Sequence, residues 1–314
     1  MQPLFLVTEP LDQTALDWLS GRAELVCAAP GEDAFEQSLK HAVGLVVRTY
    51  TVVDAALLDR APNLQVVARA GVGLDNIDLD ACAQRDITVV NTPQANRQAV
   101  VEYVVSVLGH TLRPLPVSLT SGVDLPSWRA HRQAGTVARE MSECTLGILG
   151  LGAIGRRVAA VAASIGMRVQ HHDLLDIPDS EAAGSTAVSM EVLLKSSDIL
   201  SIHVDGRASN RGILDAAALE ACRADVLLIN TARGFVIDEL ALAALLRARS
   251  EMQAVLDVHA TEPIDTDNPL LGLPNVWLLP HLASRTQAAQ RAMSEVVHQA
   301  WNVVSACQGA RPSN

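Results

Sequence analysis

The chain has almost no lysine. Of its 24 basic side chains only Lys40 and Lys195 are lysines; the rest are arginines. A phosphate loop of the Gly-Lys-Ser/Thr type is excluded, because neither lysine follows a glycine. Schiff-base catalysis would have to use one of the two, and Lys195, in Leu193-Leu194-Lys195-Ser196, reads as a helix end. Aromatics are equally scarce, with three Phe, four Trp and two Tyr, which argues against a base-stacking platform. Positive charge is in deficit. The 35 acidic residues leave a formal net charge of −11, so no basic face is expected for nucleic acid. The five cysteines are widely spaced and form no C-x-x-C. They read as reduced thiols of a cytoplasmic protein, and no zinc framework or metal site is expected. No uncharged apolar run approaches the roughly 18 residues of a membrane span. The first seven residues lack a basic segment and Glu9 follows at once, so no secretory signal is expected.

What is present is a two-domain load of apolar residues. Length alone suggests two domains for 314 residues, and 49% of them are hydrophobic. Short Val, Leu and Ile runs at 4–8, 24–28, 43–47, 65–69 and 87–90 predict strands. Helical patterns fall between them near 12–20, 32–41, 53–60 and 78–85. Unbroken apolar strands separated by helices predict a parallel sheet covered on both faces, here a flavodoxin-like doubly wound sheet. A long helix is expected over 95–112, ending at Arg113-Pro114. The polar stretch 118–143, with Gly122, Pro126 and Gly135, reads as an irregular connection. A second series of strands follows near 145–149, 167–172, 198–202, 225–229, 252–256 and 275–279, and one last helix is expected over 284–306.

The strongest local motif opens that second series. The strand Thr145-Leu146-Gly147-Ile148-Leu149 runs straight into Gly150-Leu151-Gly152-Ala153-Ile154-Gly155, a G-x-G-x-x-G. Gly150 allows the tight turn, Gly152 lets backbone approach a pyrophosphate, and Gly155 lets the next helix pack on the strand. The amides of Ala153 and Ile154 and the helix dipole then face the phosphates. Asp173 ends the next strand, 21 residues after Gly152. A carboxylate there suits the ribose hydroxyls of NAD and repels a 2′-phosphate, and no arginine occupies 174–178 to receive one. NAD is therefore favoured over NADP.

Three later strands end in polar residues, at Arg233, at Asp257 and Glu262, and at His281. Ligands of open α/β sheets bind at such strand ends. Each residue alone has an ordinary structural explanation; together, behind a dinucleotide loop, they make a mechanism. Hydride transfer to a 2-keto acid needs a fork of donors for the carboxylate and carbonyl, and arginine supplies one. It needs a proton donor titrating near neutrality, which histidine is. It also needs an anion to orient that imidazole, here Glu262.

With those residues in view, the chain resembles the D-2-hydroxyacid dehydrogenase family over nearly its whole length, and within it the D-3-phosphoglycerate dehydrogenases most. The matching segments include Val47-Arg48-Thr49, Arg69-Ala70-Gly71-Val72-Gly73, Asn91-Thr92-Pro93, Trp128-Arg129, the glycine loop, Asn230-Thr231-Ala232-Arg233-Gly234, Leu256-Asp257-Val258 with Glu262-Pro263, and Pro280-His281. The resemblance implies a substrate domain from 1–94 and 284–314, and an NAD-binding Rossmann domain at 95–283 inserted in it. It implies an active site in the cleft between them, and a homodimer. Arg233, Glu262 and His281 would be catalytic. His203, Thr231, Ala232 and Asp257 would lie along the cofactor, and the backbone around Val72 and Gly73 would help hold the substrate carboxylate. Arg48, Arg69 and Arg129 are the candidates for a second anionic group, such as the phosphate of 3-phosphoglycerate. Hydroxypyruvate or glyoxylate would need fewer of them. A regulatory binding protein responding to NADH on the same fold is the alternative of another class.

Four positions depart from the family pattern. Asp205 stands where a proline normally lines the cofactor cleft, His259 where an aromatic is commoner, Ala283 where glycine is, and Arg97 where serine is often found. The sequence ends 33 residues past His281, so no C-terminal regulatory domain is expected.

Overall fold

Short strands such as Gly44–Val47 and Ile199–Ile202, buried along their whole length, suit a parallel sheet covered on both faces, and two parallel sheets organise the chain. The computed structural model describes residues 2–114, 118–119 and 121–309. The chain divides into two compact units, Met1–Ala99 with Ser284–Asn314, and Val100–Ala283. The division falls between residues 99 and 100, inside a helix, rather than at 94/95.

The first unit alternates β1 (Leu4–Val7), α1 (Gln13–Ser20), β2 (Glu24–Cys27), α2 (Asp33–Leu39), β3 (Gly44–Val47), α3 (Ala55–Asp59), β4 (Val66–Arg69), α4 (Leu79–Ala83) and β5 (Thr88–Asn91). Its sheet has the order β2-β1-β3-β4-β5, all parallel, which is the flavodoxin-like order expected. Aspartates cap α1, α3 and α4: Asp12, Asp54 and Asp78 accept from amides of the first turn. α5 (Arg97–Leu112) then leaves the unit.

The second unit contains α6 (Leu125–Ala134), β6 (Thr145–Leu149), α7 (Ala153–Ser164), β7 (Arg168–His172), β8 (Thr186–Ala187), α8 (Met190–Ser196), β9 (Ile199–Ile202), α9 (Ala216–Ala221), β10 (Leu227–Asn230), α10 (Glu239–Ala248), β11 (Gln253–Leu256) and β12 (Val276–Leu278). Its sheet runs β12-β11-β10-β9-β6-β7-β8, all parallel. Alternate strand residues feed two cores. Leu149, Leu200, Leu228 and Leu256 face one side, and Ile148, Ile199, Ile229 and Val255 the other. Sequence order reverses between β6 and β9, and that switch point is where a doubly wound sheet opens a crevice at its strand ends.

The structure corrects two expectations and adds one strand. The connection 118–143 is not wholly irregular, because it holds α6. Pro126 and Gly135 are not breakers there. Pro126 sits in the first turn, where its missing N–H is no loss, Asp124 accepts from Ser127 N at 2.8 Å, and Gly135 ends the helix. The last helix is two, α11 (Gln287–Ser294) and α12 (Val296–Gly309). At the break Ser294 accepts from Asp12 N and donates to Gln290 O, and back-bonding of this kind bends helices. Val296, Val297, Ala300 and Val304 of α12 are buried with Phe5, Val46, Val66 and Ala68, so the chain end covers the first sheet. Finally, β8 extends the second sheet by two residues, too short a run for any periodicity.

Candidate functional site

The glycine loop lies at the switch point. Gly150 has φ +93°, and a Cβ there would stand 2.9 Å from the His203 carbonyl carbon and the Val204 nitrogen. Only glycine lets the ends of β6 and β9 approach so closely. Gly155, as the fingerprint requires, leaves no room for a Cβ against the Gly150 carbonyl. Asp173 closes the loop from β7. Its carboxylate accepts from Leu151 N at 2.6 Å and from Leu175 N at 2.9 Å. A cavity of about 210 Å³ opens between these strand ends, lined among others by Gly150, Gly152, Asp173, His203, Asp205 and Arg207. The His203 imidazole, 2.9 Å from Ser201 Oγ by its Nε2, is desolvated and pushed down to about 4, so it lines the cavity as a neutral group.

A dinucleotide fits these residues. Space beside Gly152 is open, since a Cβ there would meet nothing within 4 Å. The hydroxyl of Thr231 is buried with no hydrogen-bond partner, a donor the fold leaves for something else. Ala153 and Ile154 begin the twelve-residue α7, which presents its amides and dipole at the loop.

Arg233, Asp257, Glu262 and His281 follow β10, β11 and β12, neighbours in the sheet, and so emerge along the same edge. His281 Nδ1 donates to Glu262 Oε2 at 2.8 Å. Glu262 Oε1 accepts from His259 N at 3.1 Å, so both oxygens are held. Burial works to raise the Glu262 carboxyl, but the bonds and charge of His281 and the His259 amide outweigh it and hold it below the usual range. With Nδ1 committed to an acceptor-only carboxylate, Nε2 is the nitrogen left to face a substrate. The His281 side chain is 33% exposed, so it can be reached. Its backbone has φ 55°, a left-handed conformation that side chains adopt rarely and often at functional positions.

Two further contacts fix this edge. A Cβ on Gly234 would lie 1.8 Å from the His259 carbonyl carbon, so only glycine can seat the Arg233 turn against the loop that carries Glu262. Asn230, fully buried, donates to Arg233 O at 2.8 Å and accepts from Ala232 N at 3.0 Å. The Arg233 guanidinium donates to Ala232 O at 2.7 Å.

Asp257 is fully buried and does not stand alone. It accepts from Leu282 N, from Ala283 N and from the hydroxyl of Tyr103 on α5, at 2.7, 2.8 and 3.0 Å. Burial raises its carboxyl against those bonds. Burial and the nearby Asp257 charge likewise push the Tyr103 phenol well up, so it stays a donor. Tyr103 and Asn230, as supports of the site, escape sequence reasoning. Glu239 is a third: it accepts from Ala260 N and Asn268 Nδ2 and so pins the loop on both sides of Glu262. Tyr103 and Glu239 meet their partners only through the fold, whereas Asn230 bonds residues two and three positions further along the chain.

The remaining candidates are placed as follows. Arg69, at the end of β4, donates to Ala70 O at 3.0 Å beside the Val72–Gly73 turn, where Val72 O accepts from Asn91 Nδ2 at 2.7 Å. Arg48 donates to Pro10 O at 3.0 Å, and its loop is gathered on Glu9, which accepts from the amides of residues 48–51. Arg129 is exposed on α6, a helix with no buried residue. Among the described residues no group of three or more His, Cys, Asp or Glu could hold a metal ion, and no helix is long and apolar enough to cross a membrane.

Comparison with known proteins agrees with this geometry. The profile of the D-isomer specific 2-hydroxyacid dehydrogenase NAD binding domain matches residues 119–283. A D-3-phosphoglycerate dehydrogenase of Mycobacterium leprae is 37% identical over 289 residues, covering 91% of this chain and 52% of its own length. Another from Archaeoglobus fulgidus is 33% identical, covering 97% of this chain and 57% of its own. The chain thus spans about half the length of these relatives. An (S)-sulfolactate dehydrogenase of Chromohalobacter salexigens is 37% identical over 92% of this chain and 94% of its own. Among solved structures, a D-lactate dehydrogenase of Aquifex aeolicus with NAD and lactic acid has a TM-score of 0.81 at 26% identity, covering 98% of this chain and 96% of its own. An NADPH-dependent glyoxylate/hydroxypyruvate reductase of Sinorhizobium meliloti has 0.80 at 29%, covering 96% and 94%. On profile, relatives and fold together, the chain belongs to the D-isomer specific 2-hydroxyacid dehydrogenase family.

Proposed function

We propose that the protein is an NAD-dependent oxidoreductase acting on the CH–OH group of a small 2-hydroxy acid. The observation that carries this reading is the 2.8 Å His281–Glu262 pair on the same sheet edge as the Asp173-closed glycine loop. A nicotinamide dinucleotide held at this loop would supply or accept the hydride. In reduction His281 Nε2 gives a proton to the carbonyl oxygen, and in oxidation it takes the hydroxyl proton. Glu262 holds the imidazole in the tautomer and orientation this requires. Arg233 binds the carboxylate and polarises the carbonyl. Thr231 and His203 line the cofactor, the fully buried Asp257 acts from behind by holding the Leu282 and Ala283 amides, and on the first unit Arg69 and the Val72 and Gly73 amides are further substrate contacts.

The substrate reading is 3-phosphoglycerate and 3-phosphohydroxypyruvate, with Arg48, Arg69 and Arg129 as the candidate cations for the second anionic group. The sulfolactate dehydrogenase, matched over nearly its full length, favours a second reading with a sulfonate in place of the phosphate. Both acids carry a second anion. Steady-state turnover of NADH with 3-phosphohydroxypyruvate, 3-sulfopyruvate, hydroxypyruvate, glyoxylate and pyruvate ranks them. NADH binding without turnover on any acid would favour the regulatory alternative instead.

NAD is the cofactor proposed because the Asp173 carboxylate, with no arginine at 174–178, suits ribose hydroxyls and repels a 2′-phosphate. Asp173→Ala is expected to weaken NADH binding and to narrow the preference over NADPH. Fluorescence titration of both cofactors checks this, and an unchanged ratio would place the discriminating acid elsewhere.

A homodimer completes the reading. α6 buries nothing, and Leu119, Val123, Leu125 and Trp128 in and beside it are exposed. A second copy is the occupant proposed for that apolar stretch. Light scattering should give twice the chain mass, and a monomer for Leu125→Asp/Trp128→Asp; a monomeric wild type would remove the dimer.

A further inference from the structure

Asp205 departs from the family pattern, and the reaction just described gives it no task. It does not stand in the cavity as a bare charge. Its carboxylate accepts from Arg207 Nε at 2.7 Å and from Arg207 Nη2 at 2.5 Å, a bidentate pairing. The buried Asn210 adds a third donor, at 3.0 Å to Oδ1, and also reaches the Asp205 carbonyl. The pair is built into the loop after β9, and both partners line the cavity that Asp173 lines from β7.

We infer that the Asp205–Arg207 pair is a determinant of cofactor choice, with Asp205 occupying the guanidinium that would otherwise receive a 2′-phosphate. The inference rests on the dinucleotide reading of this cavity. Two carboxylates and one guanidinium leave its wall net negative, so a dianionic group beside Asp173 is repelled. Without Asp205 the wall would hold one carboxylate and one guanidinium. That guanidinium would be free to turn, and a planar fork of donors is the side chain best suited to phosphate. Arg207 is close enough to Asp173 to feel its charge, and the Asp205 pairing holds Asp205 below the usual carboxylate range while raising Arg207. The arginine sought at 174–178 is absent there, and the fold supplies one from a different strand end, already paired.

The test is the ratio of NADPH to NADH dissociation constants, measured by fluorescence quenching on the full chain. A ratio within each variant cancels any general loosening of the cavity, and thermal melting confirms folding. Asp205→Asn should move the ratio toward NADPH by about three- to fivefold, the size of one exposed charge contact. Asp205→Ser should move it in the same direction, which guards against a peculiarity of the amide. Arg207→Gln should move it away from NADPH. The double variant Asp205→Asn/Arg207→Gln should lose most of the single variant's shift, because the arginine mediates it. A ratio within twofold of wild type in both Asp205 variants would overturn the inference. So would a double variant that keeps the full shift. A wild type that binds neither nucleotide would overturn the cofactor reading itself, a result distinguishable from both.

Discussion

Replacing His281 by alanine should lower turnover by about 10²–10⁴-fold, the usual size of a lost general acid–base group. NADH affinity should be far less affected, because the contacts assigned to the nucleotide are on other strand ends. The contrast with Glu262→Gln makes the test specific. Glu262 holds His281 by one oxygen and the His259 amide by the other. Its carboxyl lies below the usual range, so it remains an anion throughout neutral pH and its loss removes a full charge. An amide keeps the shape but favours the protonated imidazole less. The Glu262→Gln enzyme should therefore retain some activity at low pH and lose reductive activity earlier than wild type as pH rises. His281→Ala should show no such limb at all. Pre-steady-state and steady-state reduction across pH 5–9 read both, and near-normal turnover in His281→Ala would remove that residue from the chemistry.

Physical causes separate the elements legible in the amino-acid sequence from those that are not. β6 and its glycine loop are legible because an apolar strand and a tight turn each leave a local signature, and Asp173 because its distance along the chain is set by one helix and one strand. Arg233, Glu262 and His281 are legible because strand ends in a parallel sheet fall on one edge, whatever the intervening lengths. α6 is not legible. Its apolar face is reduced to Leu125 and Trp128, both exposed, which is too short a pattern to set a period, and Pro126 and Gly135 look like interruptions when they mark its start and stop. The break between α11 and α12 is fixed by a bond from Asp12, 282 residues away in sequence. Tyr103 is one member of an ordinary helix until β11 brings Asp257 beneath its hydroxyl. Local rules see start signals, periods and turns; they do not see partners that only the fold supplies.

Arg233 is the residue for which a conservative change should do most harm. Arg233→Lys should lower kcat/KM by about 10²–10³-fold and Arg233→Ala by more, since truncating one side of a desolvated charge pair costs about 2–5 kcal/mol and each 1.4 kcal/mol is a factor of about ten. The reason lies in the turn. One donor of the guanidinium bonds the Ala232 carbonyl, and Asn230 and Gly234 fix the backbone on either side. The plane of the guanidinium is thus set before any substrate arrives, which is the condition for two parallel bonds to a carboxylate. A lysine ammonium is a single point that can satisfy one acceptor and cannot hold that plane. Both constants should move. KM should rise because the carboxylate loses a bond it makes before reaction, and kcat should fall because the carbonyl loses polarisation as charge develops on its oxygen. Added guanidinium ion should partly restore the alanine variant and leave the lysine variant unchanged, since only the alanine leaves room for it. A kcat/KM within fivefold of wild type for Arg233→Lys, with no guanidinium rescue of Arg233→Ala, would show that another cation holds the substrate.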